Sequence, residues 1–148
     1  MCANLHDKHF ECEAVVLSCV DYRTWPDVVD YVQNVLNIAK FDFPSIPGGV
    51  QAIIKGNELA LYCIDAPVTL HQVDKIILVN HEDCGAYGGS ENFIHGQIHE
   101  QRTHETELIR ASRILSKKYP DLEIIALFSS SEGIVQIELS TTEELILN

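Results

Sequence analysis

Three short apolar runs constrain the fold of this chain more than any other feature of its sequence. They span residues 14–20, 75–80 and 123–129, and they contain many β-branched side chains with little polar alternation. A strand with one covered face alternates apolar and polar residues, whereas a strand covered on both faces is apolar throughout. The runs therefore predict strands in the middle of a sheet that has helices on both faces.

Helical segments separate these strands along the chain. A first helix is predicted to begin at Thr24, with Thr24 as its cap and Pro26 in its first turn. Further helices are predicted over residues 58–72 and 93–118, and a second strand over 41–46. Strands that alternate with helices predict an α/β fold with a mostly parallel central β-sheet and right-handed crossovers.

The end of the chain departs from this alternation. The turn Ser131-Glu132-Gly133 allows residues 134–139 to pair back as an antiparallel final strand, and residues 140–144 offer a capping box for a short last helix. A chain of 148 residues has about the length of one domain. We expect a single α/β domain over residues 1–148, with residues 1–13 as an N-terminal tail.

The composition argues against several classes of partner. Asp and Glu outnumber Lys and Arg by 22 to 10, whereas nucleic acid and anionic membrane surfaces require clustered cations. No apolar run approaches the roughly 18 residues that span a bilayer. We see no signal peptide, and the five irregularly spaced cysteines are typical of thiols or metal ligands in a reducing compartment. These observations predict a cytoplasmic protein that binds neither nucleic acid nor membrane.

Two clusters of chemically active residues follow the first and third predicted strands. One is Cys19-Val20-Asp21-Tyr22-Arg23, and the other is His81-Glu82-Asp83-Cys84-Gly85. Ligands of open parallel sheets bind beyond the carboxyl ends of the strands. If these two strands are neighbours, Cys19, His81 and Cys84 converge on one point.

Two thiolates and one imidazole form a ligand set that suits Zn²⁺. The spacing His81-x-x-Cys84 lets one turn supply two of the ligands. A structural zinc normally has four protein ligands, whereas a catalytic zinc keeps one position for water. Because no fourth Cys or His lies nearby in sequence, we predict a catalytic zinc domain with Cys19, His81 and Cys84 as the metal ligands. The alternative is two buried thiols and a core histidine.

Asp21 and Arg23 lie two residues apart, directly after Cys19. In an extended turn they point the same way and can pair. A carboxylate beside the open position either binds the metal and closes the site, or accepts a hydrogen bond from zinc-bound hydroxide. Pairing with Arg23 favours the second role, because the guanidinium competes with zinc for the carboxylate. We therefore predict that Asp21 and Arg23 are catalytic residues.

The order Cys-x-Asp-x-Arg and then His-x-x-Cys-Gly resembles the β-class carbonic anhydrases. The resemblance runs from Ala14 to about Leu139 and is carried by six residues: Cys19, Asp21, Arg23, His81, Cys84 and Gly85. It implies a β-carbonic anhydrase-like fold and a zinc-dependent lyase, a carbonate dehydratase, that hydrates CO₂ to bicarbonate through a zinc-bound hydroxide. It also implies that the Asp21–Arg23 pair gates the fourth zinc position, and that the chain forms a homodimer or a higher homo-oligomer.

The sequence departs from that family in two places. Ile46-Pro47-Gly48-Gly49 stands where many members carry Arg-Asn-Ala-Gly, and only 13 residues precede the first strand, where the family often has a helical arm. The residues that line the substrate pocket are therefore left unassigned. Two further functions fit the same motif: a zinc hydrolase acting on carbonyl sulfide or carbon disulfide, and a non-catalytic zinc-binding module in which Asp21 is the fourth ligand.

Three histidines lie in the predicted helix over residues 93–118. His95 and His99 are four residues apart and are expected on one face, and His104 follows five residues later. Because no third ligand follows in helical register, a solvated helix face is the favoured interpretation rather than a second metal site. A proton shuttle is a further hypothesis for one of them.

Overall fold

The computed structural model describes residues 11–139 of the 148-residue chain. It contains one five-stranded sheet, whose strands in chain order are β1 (Ala14–Leu17), β2 (Phe41–Asp42), β3 (Lys75–His81), β4 (Glu123–Ser130) and β5 (Gly133–Ile137). The spatial order is β2-β1-β3-β4-β5. All neighbours are parallel except β4 and β5, which are antiparallel. The predicted mostly parallel sheet with an antiparallel final strand is confirmed.

The helices lie on both faces of this sheet, as the apolar strands predict. In chain order they are α1 (Trp25–Asn34), α2 (Val50–Ile54), α3 (Glu58–Leu70) and α4 (Gln97–Lys118), with two 3₁₀ turns at Gly85–Tyr87 and Ser90–Asn92. Successive strand residues point to opposite faces. Ile76 and Leu78 pack in the core that α2, α3 and α4 cover, whereas Ile77 and Val79 pack in the core that α1 covers.

The register of β1 and β3 positions the functional site. Leu17, the last residue of β1, pairs with Leu78 of β3, and β3 continues for three more residues to His81. The segments that follow β1 and β3 therefore emerge side by side at the carboxyl edge of the sheet.

Several elements differ from the sequence expectation. β1 and β2 are shorter than predicted, and beyond β2 only the isolated bridge between Ser18 and Ser45 continues the pairing, since Pro44 has no N–H to donate to a ladder. The helix predicted over residues 93–118, α4, begins at Gln97, because Gly96 has a φ of 83° that interrupts the helical path. Pro67 lies inside α3 without ending it, since a proline in the final turn removes only one helical hydrogen bond.

The hydroxyl of Thr24 does not cap α1 in the way that the sequence predicts. Thr24 is the N-cap of α1, but its hydroxyl donates to the Asp21 carbonyl and accepts no hydrogen bond from the helix. The capping box at 140–144 and most of the tail over residues 1–13 lie outside the described residues. Among residues 11–139, no helix combines the length and the apolar character needed to cross a membrane.

Candidate metal centre

Cys19, His81 and Cys84 meet at the carboxyl edge of β1 and β3. The Sγ atoms of Cys19 and Cys84 are 4.0 Å apart, and the ligand atoms of all three residues lie within 4.8 Å of one another. All three side chains are buried. The sequence predicts this convergence on the condition that β1 and β3 are neighbours. In the structure the two strands are neighbours and the three residues converge.

The loop after β3 holds Cys84 in a tight turn. Asp83 adopts a left-handed φ of 56°, which reverses the chain after Glu82. The Cys84 carbonyl then accepts hydrogen bonds from the amides of Tyr87 and Gly89, and the Glu82 amide donates to the Ser129 carbonyl of β4. These backbone hydrogen bonds position Cys84 and do not involve its thiol.

The hydrogen bond of His81 leaves one ring nitrogen free for a ligand. Nδ1 lies 2.6 Å from the Glu82 carbonyl oxygen, and since a carbonyl only accepts, Nδ1 carries the proton. Nε2 is then an acceptor that is fully buried and has no hydrogen-bond partner. A buried polar atom without a partner is costly unless a ligand satisfies it, and a metal ion between this nitrogen and the two sulfurs would do so.

The two cysteine thiols affect each other's pKa. The contact with Cys84 and the hydrogen bond donated by the Gly48 amide lower the pKa of Cys19, whereas the contact with Cys19 and burial raise the pKa of Cys84. Two sulfurs at about 2.3 Å from a tetrahedral zinc lie about 3.8 Å apart, close to the separation found here. The donor set and its spacing fit zinc.

Arg23 and Asp21 form the ion pair that the sequence predicts. Arg23 donates from Nε to Asp21 Oδ1 at 2.9 Å and from Nη2 to Oδ2 at 2.6 Å. These hydrogen bonds lower the pKa of Asp21 to about 2. Asp21 Oδ2 is 4.0 Å from His81 Nε2, so the carboxylate borders the candidate metal centre while both of its oxygens are bound to the guanidinium.

The remaining face of the Arg23 guanidinium contacts the loop after β3. Nη1 donates to Asp83 Oδ2 at 2.9 Å, and Nη2 donates to the Asp83 carbonyl at 3.1 Å. One side chain thus connects the segment after β1 with the segment after β3. The sequence places Asp83 inside the second cluster, but no motif assigns it this role.

Glu100 is a buried residue that sequence reasoning missed. Its carboxylate accepts the Asp83 amide at 2.7 Å and the Ser90 hydroxyl at 2.9 Å, and only 2% of Glu100 is exposed. It therefore fixes the turn that presents Asp83 to Arg23. Its position in the first turn of a polar helix gives no signal of burial in the sequence.

The Pro47-Gly48-Gly49 turn forms one wall of the centre. Gly48 has a φ of 77° and donates its amide to Cys19, and a Cβ at this position would meet Ala86 Cβ at 2.9 Å. Gly49 has a φ of 54°, and a Cβ there would meet the Val79 carbonyl oxygen at 2.9 Å. Both positions favour glycine because each has a positive φ and no space for a Cβ.

The three histidines of the 93–118 region have different environments. His95 precedes Gly96 and so lies outside α4, contrary to the expectation, and both His95 and His99 are exposed. His104 does not lie on a solvated face: it is completely buried, accepts a hydrogen bond from Asn80 and stacks on Phe128. Burial lowers the pKa of His104 to about 4. Within the described part of the chain, none of the three belongs to a cluster of metal-binding groups.

A five-stranded α/β sheet with a Cys-His-Cys cluster at its carboxyl edge defines a carbonic anhydrase-like protein. Residues 9–138 match the family described as "putative carbonic anhydrase", and the chain belongs to this family. An uncharacterized protein of Rickettsia bellii (strain RML369-C) is 27% identical over 136 residues, which cover 85% of this chain and 81% of that protein.

Solved β-carbonic anhydrases have a similar fold. The enzyme CafA of the fungal pathogen Aspergillus fumigatus gives a TM-score of 0.66 at 13% identity, covering 93% of this chain and 80% of that one. One of two tetrameric β-carbonic anhydrases from the filamentous ascomycete Sordaria macrospora gives 0.53 at 15% identity, covering 88% and 83%. The predicted β-carbonic anhydrase-like fold is confirmed.

Proposed function

We propose that this protein is a zinc-dependent lyase that hydrates CO₂ to bicarbonate. Its single domain, residues 1–148, would hold zinc with Cys19, His81 and Cys84, and Asp21 and Arg23 would be its catalytic residues. The observation that carries the proposal is the buried, unpartnered Nε2 of His81, which faces two sulfurs beside a carboxylate that Arg23 engages. Membership of the carbonic anhydrase family supports the choice of reaction.

Asp21 and Arg23 would have different roles at the fourth ligand position of the metal. Bound zinc lowers the pKa of its water to about 7 and so supplies a nucleophile at neutral pH. Arg23 holds both Asp21 oxygens, which opposes their use as a fourth metal ligand. Asp21, which its low pKa keeps ionised at neutral pH, would accept a hydrogen bond from water at this position and so fix the orientation of that water.

Asp21 is unsuited to carry away the proton that hydration releases. Its low pKa means that it does not retain a proton at neutral pH. An open depression of about 510 Å³ lies beside the candidate centre and is lined in part by Arg23, His81, Glu82 and Gln97. We assign proton release to water in this depression.

The proposal also includes assembly as a homodimer or a higher homo-oligomer. Val20, Tyr22 and Trp25, which flank Asp21 and Arg23 in sequence, are exposed apolar residues. Such side chains beside a site are typical of a subunit interface. Light scattering of the purified protein tests this part: a monomer at micromolar concentration would contradict it.

Stopped-flow CO₂ hydration by the zinc-loaded protein tests the reaction. We expect turnover well above a Cys19→Ala blank, because that variant loses one of the three ligands. The matched control is Cys63→Ala, which removes a half-buried cysteine in α3, and it should retain turnover. An inactive protein with zinc bound at Cys19 would exclude CO₂ hydration. The same preparation is then assayed with carbonyl sulfide and carbon disulfide, and activity there would identify the hydrolase alternative.

A further inference from the structure

A second cluster of metal-binding side chains lies at the opposite edge of the sheet. Cys12 precedes β1 by two residues, Asp42 ends β2, and His71 follows α3. The Cys12 Sγ is 3.5 Å from Asp42 Oδ2, and His71 Nδ1 is 2.5 Å from the same oxygen. The ligand atoms of all three lie within 4.8 Å of one another, as those of Cys19, His81 and Cys84 do.

Backbone hydrogen bonds hold the three residues in place independently of their side chains. The Cys12 amide donates to the His71 carbonyl at 3.1 Å, and the Glu13 amide donates to the Lys40 carbonyl at 2.9 Å. Asp42 is paired with Val15 in the sheet. A ligand that binds the cluster would therefore find its donors already close together, which reduces the ordering cost of binding.

The surroundings of the cluster favour a cation. A depression of about 550 Å³ next to Cys12 is lined by the acidic residues Glu11, Glu13 and Asp74 and by a single basic one, Lys40. Asp42 and His71 are each about one-third exposed, so an ion can reach them from solvent. A thiolate, an imidazole and a carboxylate together form a set that binds zinc and similar transition metals.

A cysteine nucleophile is a poorer explanation of the same cluster. In such a site a histidine lies between the thiol and the carboxylate and removes the thiol proton. Here the carboxylate lies between Cys12 and His71. Burial and the charge of Asp42 raise the pKa of Cys12 to about 11, so the thiol is protonated at neutral pH in the absence of a metal.

We propose that Cys12, Asp42 and His71 form a second metal site, for zinc or a similar divalent transition ion. The ion joins the segment before β1 to the end of β2 and to the connection between α3 and β3. Binding releases the thiol proton of Cys12 to solvent. Because the Asp42 carboxylate only accepts, Nδ1 of His71 carries a proton in this structure, and it must give up that proton to bind the metal. In the neutral imidazole the ring proton then lies on Nε2. The site is structural and is separate from the candidate metal centre and from the proposed reaction.

The metal content of the full-length protein tests this site. The protein is stripped with a chelator, loaded with Zn²⁺, passed through gel filtration and analysed for zinc per chain. We expect the Cys12→Ser and His71→Ala variants each to bind one ion fewer than the unmodified protein, and Cys63→Ser to bind the same number. Equal zinc content in Cys12→Ser, His71→Ala and the unmodified protein would overturn the proposal. If the candidate metal centre binds no zinc, the unmodified protein should contain one ion and Cys12→Ser none. The zinc count therefore distinguishes a failure of the proposed function from a failure of the second site.

Cobalt provides a second measurement that does not depend on counting ions. In a protein carrying both Cys19→Ser and Cys84→Ser, Co²⁺ should still give a thiolate-to-cobalt charge-transfer band. Adding Cys12→Ser should abolish the band, whereas adding Cys2→Ser or Cys63→Ser should leave it. A band that survives Cys12→Ser in a folded protein, judged by circular dichroism, would contradict the assignment of the thiolate ligand.

Discussion

Replacing Glu100 provides the sharpest test of how the loop after β3 is held. The carboxylate accepts the Asp83 amide at 2.7 Å and the Ser90 hydroxyl at 2.9 Å, in a position that is 98% buried. A hydrogen bond to a charged group contributes about 1.5–3 kcal/mol, and an unsatisfied buried donor costs about 1–3 kcal/mol. Glu100→Ala removes both acceptors and leaves the Asp83 amide unpaired, so we expect the free energy of unfolding to fall by about 3–5 kcal/mol.

Glu100→Gln removes the charge of this side chain and keeps its shape. The glutamine oxygen still accepts the Asp83 amide, and loss of the buried charge partly offsets the weaker hydrogen bond, so we expect a loss of about 1 kcal/mol. The assay is urea unfolding, with an unchanged slope required for the comparison. The matched control is Glu91→Gln, which removes an exposed charge from the same loop region and should have no effect. Equal midpoints for Glu100→Ala and the unmodified protein would refute the role given to Glu100.

Three further changes test other parts of the structure. Gly49→Ala should lower the free energy of unfolding by about 2 kcal/mol more than Gly56→Ala does. Both glycines have a positive φ, but only a Cβ at Gly49 would meet the Val79 carbonyl oxygen. Urea unfolding compares the two variants, and equal losses of unfolding free energy would contradict the role of this contact. The lowered pKa of His104 means that the folded protein binds fewer protons than the unfolded chain between pH 6.5 and about 4. Stability should therefore fall by up to about 3 kcal/mol as the pH drops through this window, and His104→Gln should show a shallower fall in thermal unfolding at each pH. Arg23→Ala should keep zinc but lose about 10- to 100-fold in CO₂ hydration by stopped flow; full activity across the pH range would contradict the gating role.

The sequence predicts those features that depend on local pattern. The apolar runs of β1, β3 and β4 require cover on both faces. Their alternation with helices makes the strands parallel, which places their carboxyl ends at one edge of the sheet. The positions of Cys19 and of His81-x-x-Cys84 at two of those ends then predict a convergence if β1 and β3 are neighbours, and the structure meets that condition. Every other step uses residues that are close together in sequence, so pattern reasoning succeeds for them.

Features that depend on contacts between distant segments were not predictable in this way. Glu100 and His104 lie in α4, whose composition is polar, yet both are buried because they accept hydrogen bonds from Asp83 and Asn80 in a different element. The cluster of Cys12, Asp42 and His71 is spread over 60 residues with no motif spacing, and it exists only because β2 pairs with β1 and α3 returns to the same edge.

The contacts of Arg23 indicate that the ligand motif alone does not keep the candidate centre open. A carboxylate 4.0 Å from His81 Nε2 is close enough to compete for the fourth metal position unless it is held elsewhere. Arg23 holds it, but the guanidinium is itself oriented by Asp83, and the amide of Asp83 is fixed by Glu100. In the proposed mechanism the open state would therefore depend on a residue of α4 that carries no signature in the sequence. A relative with the same two motifs but no buried acceptor at the position of Glu100 is expected to hold its carboxylate less firmly, and its metal site should close more readily.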